Sequence, residues 1–145
     1  MNTTIKILTQ NCKGLRDYAK RKGIFQWGRK KANVIFLQEC HTMKEDERSW
    51  KITWGNKIFF SHGERNCKGC AILFQKEDFD QITEEITSRH GRLCGMVAKK
   101  DDIYTLFLNI YAPNLAHENE TLKPGSAFYL VKSLFSTTMS LFTFL

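Results

Sequence analysis

Three apolar runs in this sequence each end abruptly in a polar side chain. The runs end at Asn11, at Glu39 and at Tyr111, which lie far apart along the chain. In an open α/β sheet, ligands bind outside the strand ends, so residues from distant strands can meet at one site. A carboxamide, a carboxylate and a phenol suit a hard metal ion acting on a phosphate, because Mg²⁺ prefers oxygen ligands. The sequence therefore predicts a metal-dependent phosphate site at one edge of a sheet.

The order of the predicted elements favours an α/β fold. A strand over residues 5–11, a basic helix over about 18–32 and a strand over 34–39 form a strand-helix-strand unit, which predicts parallel pairing. The second strand is apolar on both faces, as in the interior strands of a sheet covered on two sides. Further strands are predicted over 57–61, 70–74 and 104–111, and an interrupted extended region over 81–99.

A second helix is predicted between the second and third strands. Thr42-Met43-Lys44-Glu45 matches a capping box, and Gly55 is expected to end the helix. The strand over 104–111 alternates cleanly between two faces. One face carries Tyr104, Leu106, Leu108 and Ile110, and the other carries Thr105, Phe107, Asn109 and Tyr111.

The charge of the chain is strongly basic. Its 22 Lys and Arg residues exceed its 15 Asp and Glu residues, for a formal charge of +7. Much of the excess lies within residues 13–31, which is the electrostatic footprint expected beside a polyanion such as DNA. Lys13 and Arg16 lie closest in sequence to the first strand end. A basic helix face that only contacts water is the alternative interpretation of the same charges.

The cysteines and the chain ends indicate the compartment in which the protein is expected. Five cysteines, an odd count without a secretory leader, predict reduced thiols inside the cell. Cys67 and Cys70 have half of a zinc-site spacing, and we prefer a turn there.

Residues 128–145 form an apolar C-terminal tail whose lysine and Ser/Thr content argues against a spanning helix, so no membrane partner is expected.

Four phrases follow one another along the chain. They are Thr9-Gln10-Asn11, Phe36-Leu37-Gln38-Glu39, Gly69-Cys70-Ala71-Ile72-Leu73-Phe74 and Asn109-Ile110-Tyr111-Ala112-Pro113-Asn114. In this order they resemble the endonuclease/exonuclease/phosphatase superfamily. Within it, the chain looks most like the apurinic-type endonuclease domain of LINE-type, non-LTR retrotransposon proteins, over about residues 5–114.

The resemblance implies a Mg²⁺-dependent DNA endonuclease, with Mn²⁺ as a substitute ion and no small-molecule cofactor. Glu39 would be the principal metal ligand, Asn11 would assist at the metal and the phosphate, and Tyr111 would hydrogen-bond the scissile phosphate. Lys13 and Arg16 would bind flanking phosphates. The resemblance also implies a nuclear location. A phosphoinositide or sphingolipid phosphatase shares the fold but is disfavoured by the last of the four phrases.

The family fold is a four-layer α/β sandwich, and the resemblance implies that residues 1–145 are a single partial domain from its N-terminal portion. That portion would hold a mixed sheet with flanking helices, with the second sheet largely missing. We therefore expect an exposed apolar sheet face that a partner or self-association covers.

The family's later catalytic Asp, Asn and His motifs do not occur in these 145 residues. The chain is therefore expected to be truncated and inactive alone. The alternative is a non-catalytic module, derived from the endonuclease, that binds nucleic acid or another partner through its basic surface.

Overall fold

The computed structural model of the protein describes residues 4–75, 79–88 and 90–111. The prediction of an α/β fold is confirmed. The predicted tail over 128–145 and the phrase over 112–114 lie outside the described residues. The elements are β1 (Ile7–Asn11), α1 (Tyr18–Lys31), β2 (Val34–Gln38), a 3₁₀ turn (Lys44–Asp46), α2 (Glu47–Trp54), β3 (Ile58–Ser61), β4 (Cys70–Phe74), β5 (Gln81–Thr87), β6 (Leu93–Lys100) and β7 (Ile103–Ile110).

The first sheet has four strands in the order β1-β2-β4-β3. β1 and β2 are parallel, as the sequence predicts, and Asn11 lies opposite Gln38 at the end of the pair. β4 pairs antiparallel with both β2 and β3. β2 and β4 are buried along their whole lengths, because they occupy the middle of the sheet and both of their faces are covered.

Two helices cover one face of this sheet. α1 begins at Asp17, whose side chain accepts a hydrogen bond from the Lys20 backbone N–H at 2.8 Å. The Phe25 ring packs edge-to-face between Trp50 and Trp54 of α2, with centroid distances of 5.3 and 5.4 Å. All three rings are buried, so the basic helix is held by its aromatic side while its lysines stay exposed.

The start of the second helix differs from the prediction. The cap lies one residue later than expected: the Met43 backbone N–H donates to Asp46 Oδ2 at 2.8 Å, and a 3₁₀ turn precedes α2. Thr42 is fully buried, and its hydroxyl pairs instead with His62 Nδ1 at 3.2 Å, so it does not cap the helix. Gly55 ends the helix in the left-handed conformation, with φ of 78°, as predicted.

A second, antiparallel sheet in the order β5-β6-β7 packs against the other face of the first sheet. This sheet is more complete than the sequence predicts, because the interrupted pattern over 81–99 does not reveal that β5 pairs with β6 and that β6 in turn pairs with β7. The sheet face that was expected to be exposed is covered. Its side chains interdigitate with those of β6 and β7 in one apolar core that includes Phe36, Ile72, Phe74, Met96 and Phe107.

β7 shows the alternation that the sequence predicts. Phe107 and Asn109 face the first sheet, whereas Leu106 and Leu108 belong to an apolar cluster on the outer face of the second sheet. Among the residues that the structure describes, no helix is long and apolar enough to cross a membrane.

Candidate active site

Three strand ends bring Asn11, Glu39 and Tyr111 together. Asn11 is the last residue of β1, Glu39 directly follows β2, and Tyr111 directly follows β7 of the other sheet. Tyr111 Oη donates a hydrogen bond to Glu39 Oε1 at 2.6 Å, and the Asn11 side chain lies close enough to the Glu39 carboxylate to lower its pKa. The packing of the two sheets therefore joins residues that are 72 positions apart in sequence.

The backbone around Glu39 is tightly constrained. Glu39 itself adopts a left-handed conformation, with φ of 50°, which takes its side chain out of the alternation of β2. Its carbonyl accepts the Gly14 N–H at 2.7 Å. Gly14 has φ of 88°, and a Cβ atom there would lie 2.9 Å from His41 Nδ1. Glycine is therefore required at residue 14 by both conformation and space.

Backbone hydrogen bonds link the loops that surround the site. The Leu15 N–H donates to the Cys40 carbonyl at 3.0 Å, and the Cys40 N–H donates to the Gly69 carbonyl at 2.9 Å. The Gly69 N–H in turn donates to the Gly91 carbonyl at 2.9 Å. The site thus rests on loops from both sheets that are fixed to one another by main-chain groups.

The Glu39 carboxylate is stabilised in its ionised form. The hydrogen bond from Tyr111 lowers the pKa of Glu39, partial burial opposes that shift, and the nearby Asn11 side chain lowers the pKa further. The nearby positive potential of His41 and Lys13 acts in the same direction. Glu39 is therefore charged at neutral pH and available as an oxygen ligand.

Glu39 and Asn11 supply the oxygen donors that a hard cation would use here. A Mg²⁺ ion is commonly bound through one or two carboxylates, with water and substrate phosphate completing its shell. The Asn11 Oδ1 atom accepts the Lys13 N–H at 3.2 Å, which leaves that oxygen a second lone pair. Within residues 4–75, 79–88 and 90–111, no cluster of three or more His, Cys, Asp or Glu residues could hold a metal. The donor set fits a loosely held, largely hydrated Mg²⁺ ion.

The two predicted phosphate-binding residues differ in their surroundings. Lys13 is exposed directly beside the site, and it has a left-handed φ of 48°. Arg16 is partly buried, and its Nε atom lies 3.6 Å from Asp46 Oδ2. A phosphate that binds Arg16 must therefore compete with Asp46, whereas Lys13 lies near the Glu39 carboxylate without forming an ion pair with it among the described residues.

Arg92 is a site residue that the sequence analysis missed. Its guanidinium carbon lies 5.5 Å from the centroid of the Tyr111 ring, and its carbonyl accepts the Tyr111 N–H at 2.8 Å. It comes immediately before β6, a strand whose pairing with β7 was not predicted. No local motif around Arg92 signals this placement, which depends on the register of the second sheet.

A second polar cluster, which the sequence analysis also missed, borders a cavity beside β3. His62 Nε2 pairs with Glu47 Oε1 at 2.9 Å, and Lys44 and Lys51 reach the same carboxylate at 3.2 and 3.0 Å. Partial burial would raise the pKa of Glu47, but the hydrogen bonds from His62, Lys51 and Lys44 lower it to about 2. This cluster holds α2 against the loop after β3.

Comparison with known proteins gives one informative match. No protein-family model matches the chain. A curated Xenopus laevis protein, "Transposon TX1 uncharacterized 149 kDa protein", is 28% identical to it over 115 residues. The chain is similar to a transposon protein. The match covers 79% of this chain and 9% of the transposon protein, so the chain spans about a tenth of the length of that relative.

The similarity to the transposon protein supports the predicted origin in a mobile element. It extends over more than three quarters of the chain, so it is not limited to one short motif. The narrower assignment to the endonuclease superfamily goes beyond this match and is taken up next as a proposal.

Proposed function

We propose that this chain is part of a Mg²⁺-dependent DNA endonuclease of retrotransposon type, and that the described residues form its metal- and phosphate-binding side. The observation that carries the proposal is the 2.6 Å contact between Tyr111 Oη and Glu39 Oε1, which joins the ends of two sheets. A charged carboxylate, a carboxamide and a phenol at one strand edge form the oxygen-rich site that the sequence predicts.

The proposed roles follow from the chemistry of each side chain. Glu39 holds the metal ion and Asn11 assists it. A metal ion held there would supply positive charge to stabilise the negative charge that develops on the phosphate and on the leaving oxygen. Lys13, together with the other exposed basic residues, attracts the DNA backbone. The residue that activates the nucleophile is not assigned among the described residues.

Tyr111 must change its hydrogen-bond partner when substrate binds. A phenol carries one donor hydrogen, and in this structure that hydrogen is given to Glu39. If Tyr111 donates to a phosphate oxygen instead, the Glu39 carboxylate would lose this donor and could act as an oxygen ligand. The contact seen here therefore represents a resting arrangement that keeps both groups in place before DNA binds.

The sign of the Mg²⁺ effect on DNA affinity tests this proposal. Cations normally weaken protein–DNA binding, because they compete with Lys and Arg for the phosphates. If Glu39 holds a metal ion beside the bound phosphate, Mg²⁺ would have the opposite effect. In fluorescence anisotropy at constant ionic strength, we expect millimolar Mg²⁺ to tighten binding of a labelled duplex by the wild-type chain, and to weaken it for Glu39→Gln.

Glu45→Gln is the matched control, because Glu45 is an exposed carboxylate outside the site and its replacement changes the net charge equally. This control should bind DNA more tightly in Mg²⁺, as the wild type does. The proposal fails if Mg²⁺ weakens binding by the wild-type chain and by both variants to the same extent.

A non-catalytic DNA-binding module is the second candidate function, and the surface of α1 favours it. The helix contains no acidic residue, and its lysines are exposed. Such a surface binds DNA in a salt-sensitive manner without any role for Glu39. The response of DNA binding to Mg²⁺ separates the candidates, because neither requires this chain to nick DNA alone. Binding that Mg²⁺ tightens in the wild type but not in Glu39→Gln supports the endonuclease part, whereas salt-sensitive binding that Mg²⁺ weakens equally in both proteins supports the module.

A further inference from the structure

A buried hydrogen-bond network joins the two sheets directly behind the candidate site. Its centre is Asn109 of β7, which is 1% exposed. Asn109 Nδ2 donates to the Leu37 carbonyl at 2.9 Å and to the Ala71 carbonyl at 3.0 Å. Those two carbonyls belong to neighbouring strands of the first sheet, so one side chain of the second sheet is fixed to two strands of the first.

The chemistry of its partners determines how the Asn109 amide is oriented. Carbonyl oxygens only accept hydrogen bonds, so the nitrogen of Asn109 must face Leu37 and Ala71. Its oxygen is left to accept from Gln38 Nε2 at 2.6 Å, and Gln38 Nε2 also donates to Thr9 Oγ1 at 3.0 Å. All four N–H groups of the two amides are therefore used. A fully satisfied network in a buried, low-dielectric region is rigid.

Each member of this network lies next to a site residue along its own strand. Thr9 precedes Asn11 by two positions, and Asn109 precedes Tyr111 by two positions. Because side chains repeat every second residue along a strand, each of these pairs shares a face. Gln38 directly precedes Glu39.

Most of the side chains packed between the sheets are apolar. Apolar side chains hold two sheets together but tolerate small shifts and repacking, whereas directional hydrogen bonds specify a single spacing. A change of about 1 Å between the sheets would break the 2.6 Å contact between Tyr111 and Glu39. The polar network lies where such a shift matters most.

We propose that Asn109 and Gln38 are positioning residues that set the distance between the sheets at this edge, and thereby hold Tyr111 and Glu39 in contact. Their importance for metal and phosphate binding rests on the function proposed above. Their effect on the contact between Tyr111 and Glu39 does not depend on that function and can be measured separately.

A double-mutant cycle followed by urea unfolding tests the structural part. Tyr111→Phe removes the hydroxyl that donates to Glu39, so it should lower the unfolding midpoint of the wild-type chain. In an Asn109→Leu background the contact is already lost, and Tyr111→Phe should have less than a third of that effect. An equal effect in both backgrounds would overturn the proposal.

Gln38→Met is the milder second variant, because it leaves both hydrogen bonds from Asn109 to the first sheet in place. It keeps the test decisive if Asn109→Leu does not fold. Ser61→Ala is the matched control. It also removes a part-buried hydrogen bond, from Ser61 Oγ to the Ser88 carbonyl at 2.9 Å, but on the edge strand β3, at the opposite side of the first sheet from β1. In the Ser61→Ala background, Tyr111→Phe should have its full effect.

Binding of Mn²⁺ alone, followed by loss of the free-ion electron paramagnetic resonance signal, tests the functional part. Mutating residues that orient metal ligands commonly weakens metal affinity by about 10- to 100-fold. We expect at least about a tenfold loss for folded Asn109→Leu or Gln38→Met and none for Ser61→Ala. Unchanged affinity in both variants, with Glu39→Gln impaired, would overturn the positioning role. Unchanged affinity in Glu39→Gln would refute the proposed function, and the unfolding cycle would still decide the positioning role.

Discussion

At the scale of single residues, the carboxylates Glu39 and Glu47 show how local partners give similar groups different tasks. Glu39 is held by a phenol and an amide, which are neutral and can be exchanged for a metal ion and its water. Glu47 is surrounded by His62, Lys44 and Lys51, which occupy both of its oxygens. The first arrangement suits ligand binding, whereas the second suits a structural anchor.

The Glu47 anchor predicts a pH dependence of stability. Its pKa is about 2 in the folded protein, against 4.5 for an unperturbed glutamate, so its contribution is complete above about pH 4.5. It is lost as the pH falls from there toward 2, because protonation removes the attraction to its partners. Since these pairs are in contact with solvent, we expect a contribution of only about 1 kcal/mol to the unfolding free energy.

Urea unfolding at pH 6 and pH 2 measures the contribution of Glu47. Wild type and Glu45→Gln should lose about 1 kcal/mol more unfolding free energy on acidification than Glu47→Gln does. Equal losses in all three proteins would show that Glu47 makes no net contribution through these pairs.

At the scale of elements, a glycine favours the end of α2, whereas another glycine weakens the interior of α1. Gly55 ends α2 with φ of 78°, a conformation that costs an alanine about 1 kcal/mol, although a Cβ there would meet nothing within 4 Å. Gly23 lies inside α1, and a Cβ there would also meet nothing within 4 Å. We expect Gly55→Ala to lower the unfolding free energy by about 1 kcal/mol and Gly23→Ala to raise it by about 0.5–1 kcal/mol.

Thermal or urea unfolding of these two variants checks the helix boundaries directly. Both substitutions add one methyl group to open space, so each is the control for the other. Changes of the same sign in the two variants would contradict the assignment of one residue to the helix interior and the other to its end.

The elements also show what the sequence can and cannot predict. Local sequence patterns predict β1, α1 and β2. A run that is apolar on both faces and a basic amphipathic segment are each compatible with few other secondary structures. The capping box that precedes α2 is predicted one residue too early, because the hydroxyl of Thr42 pairs with His62, a partner 20 residues away. No local pattern contains that information.

The residues of the candidate site also divide into those that local sequence patterns predict and those that they do not. The abrupt strand ends indicated Asn11, Glu39 and Tyr111, and the structure does bring these side chains together. Arg92 and the role of Asn109 depend on the register between β6 and β7, and on the packing of β7 against the first sheet. The sequence of a single segment does not specify which strands pair. Arg92 and the role of Asn109 could therefore not be predicted without the fold.

At the scale of the whole molecule, the contact between the two sheets is the feature on which the site depends. Phe107 of β7 packs edge-to-face on Phe74 and Phe79, with centroid distances of 5.7 and 5.2 Å, and is buried in this core. Phe107→Leu leaves part of that space empty and should lower the unfolding free energy by about 1–2 kcal/mol. Urea unfolding measures the change.

Tyr104→Leu is the matched control for the sheet contact. Tyr104 lies on the same strand but is 50% exposed, so its replacement should change the unfolding free energy by less than about 0.5 kcal/mol. If Phe107→Leu is as mild as Tyr104→Leu, the second sheet does not pack on the first in the way described above.

The most direct test of the central claim is a Mn²⁺ titration of the wild-type chain, Glu39→Gln and Glu45→Gln, followed by the electron paramagnetic resonance signal of the free ion. If Glu39 is the carboxylate of a metal site, Glu39→Gln should lower the Mn²⁺ affinity by about tenfold or more, and Glu45→Gln should leave it unchanged. Equal Mn²⁺ affinity in all three proteins would contradict the claim that the meeting point of the two sheets is a metal site.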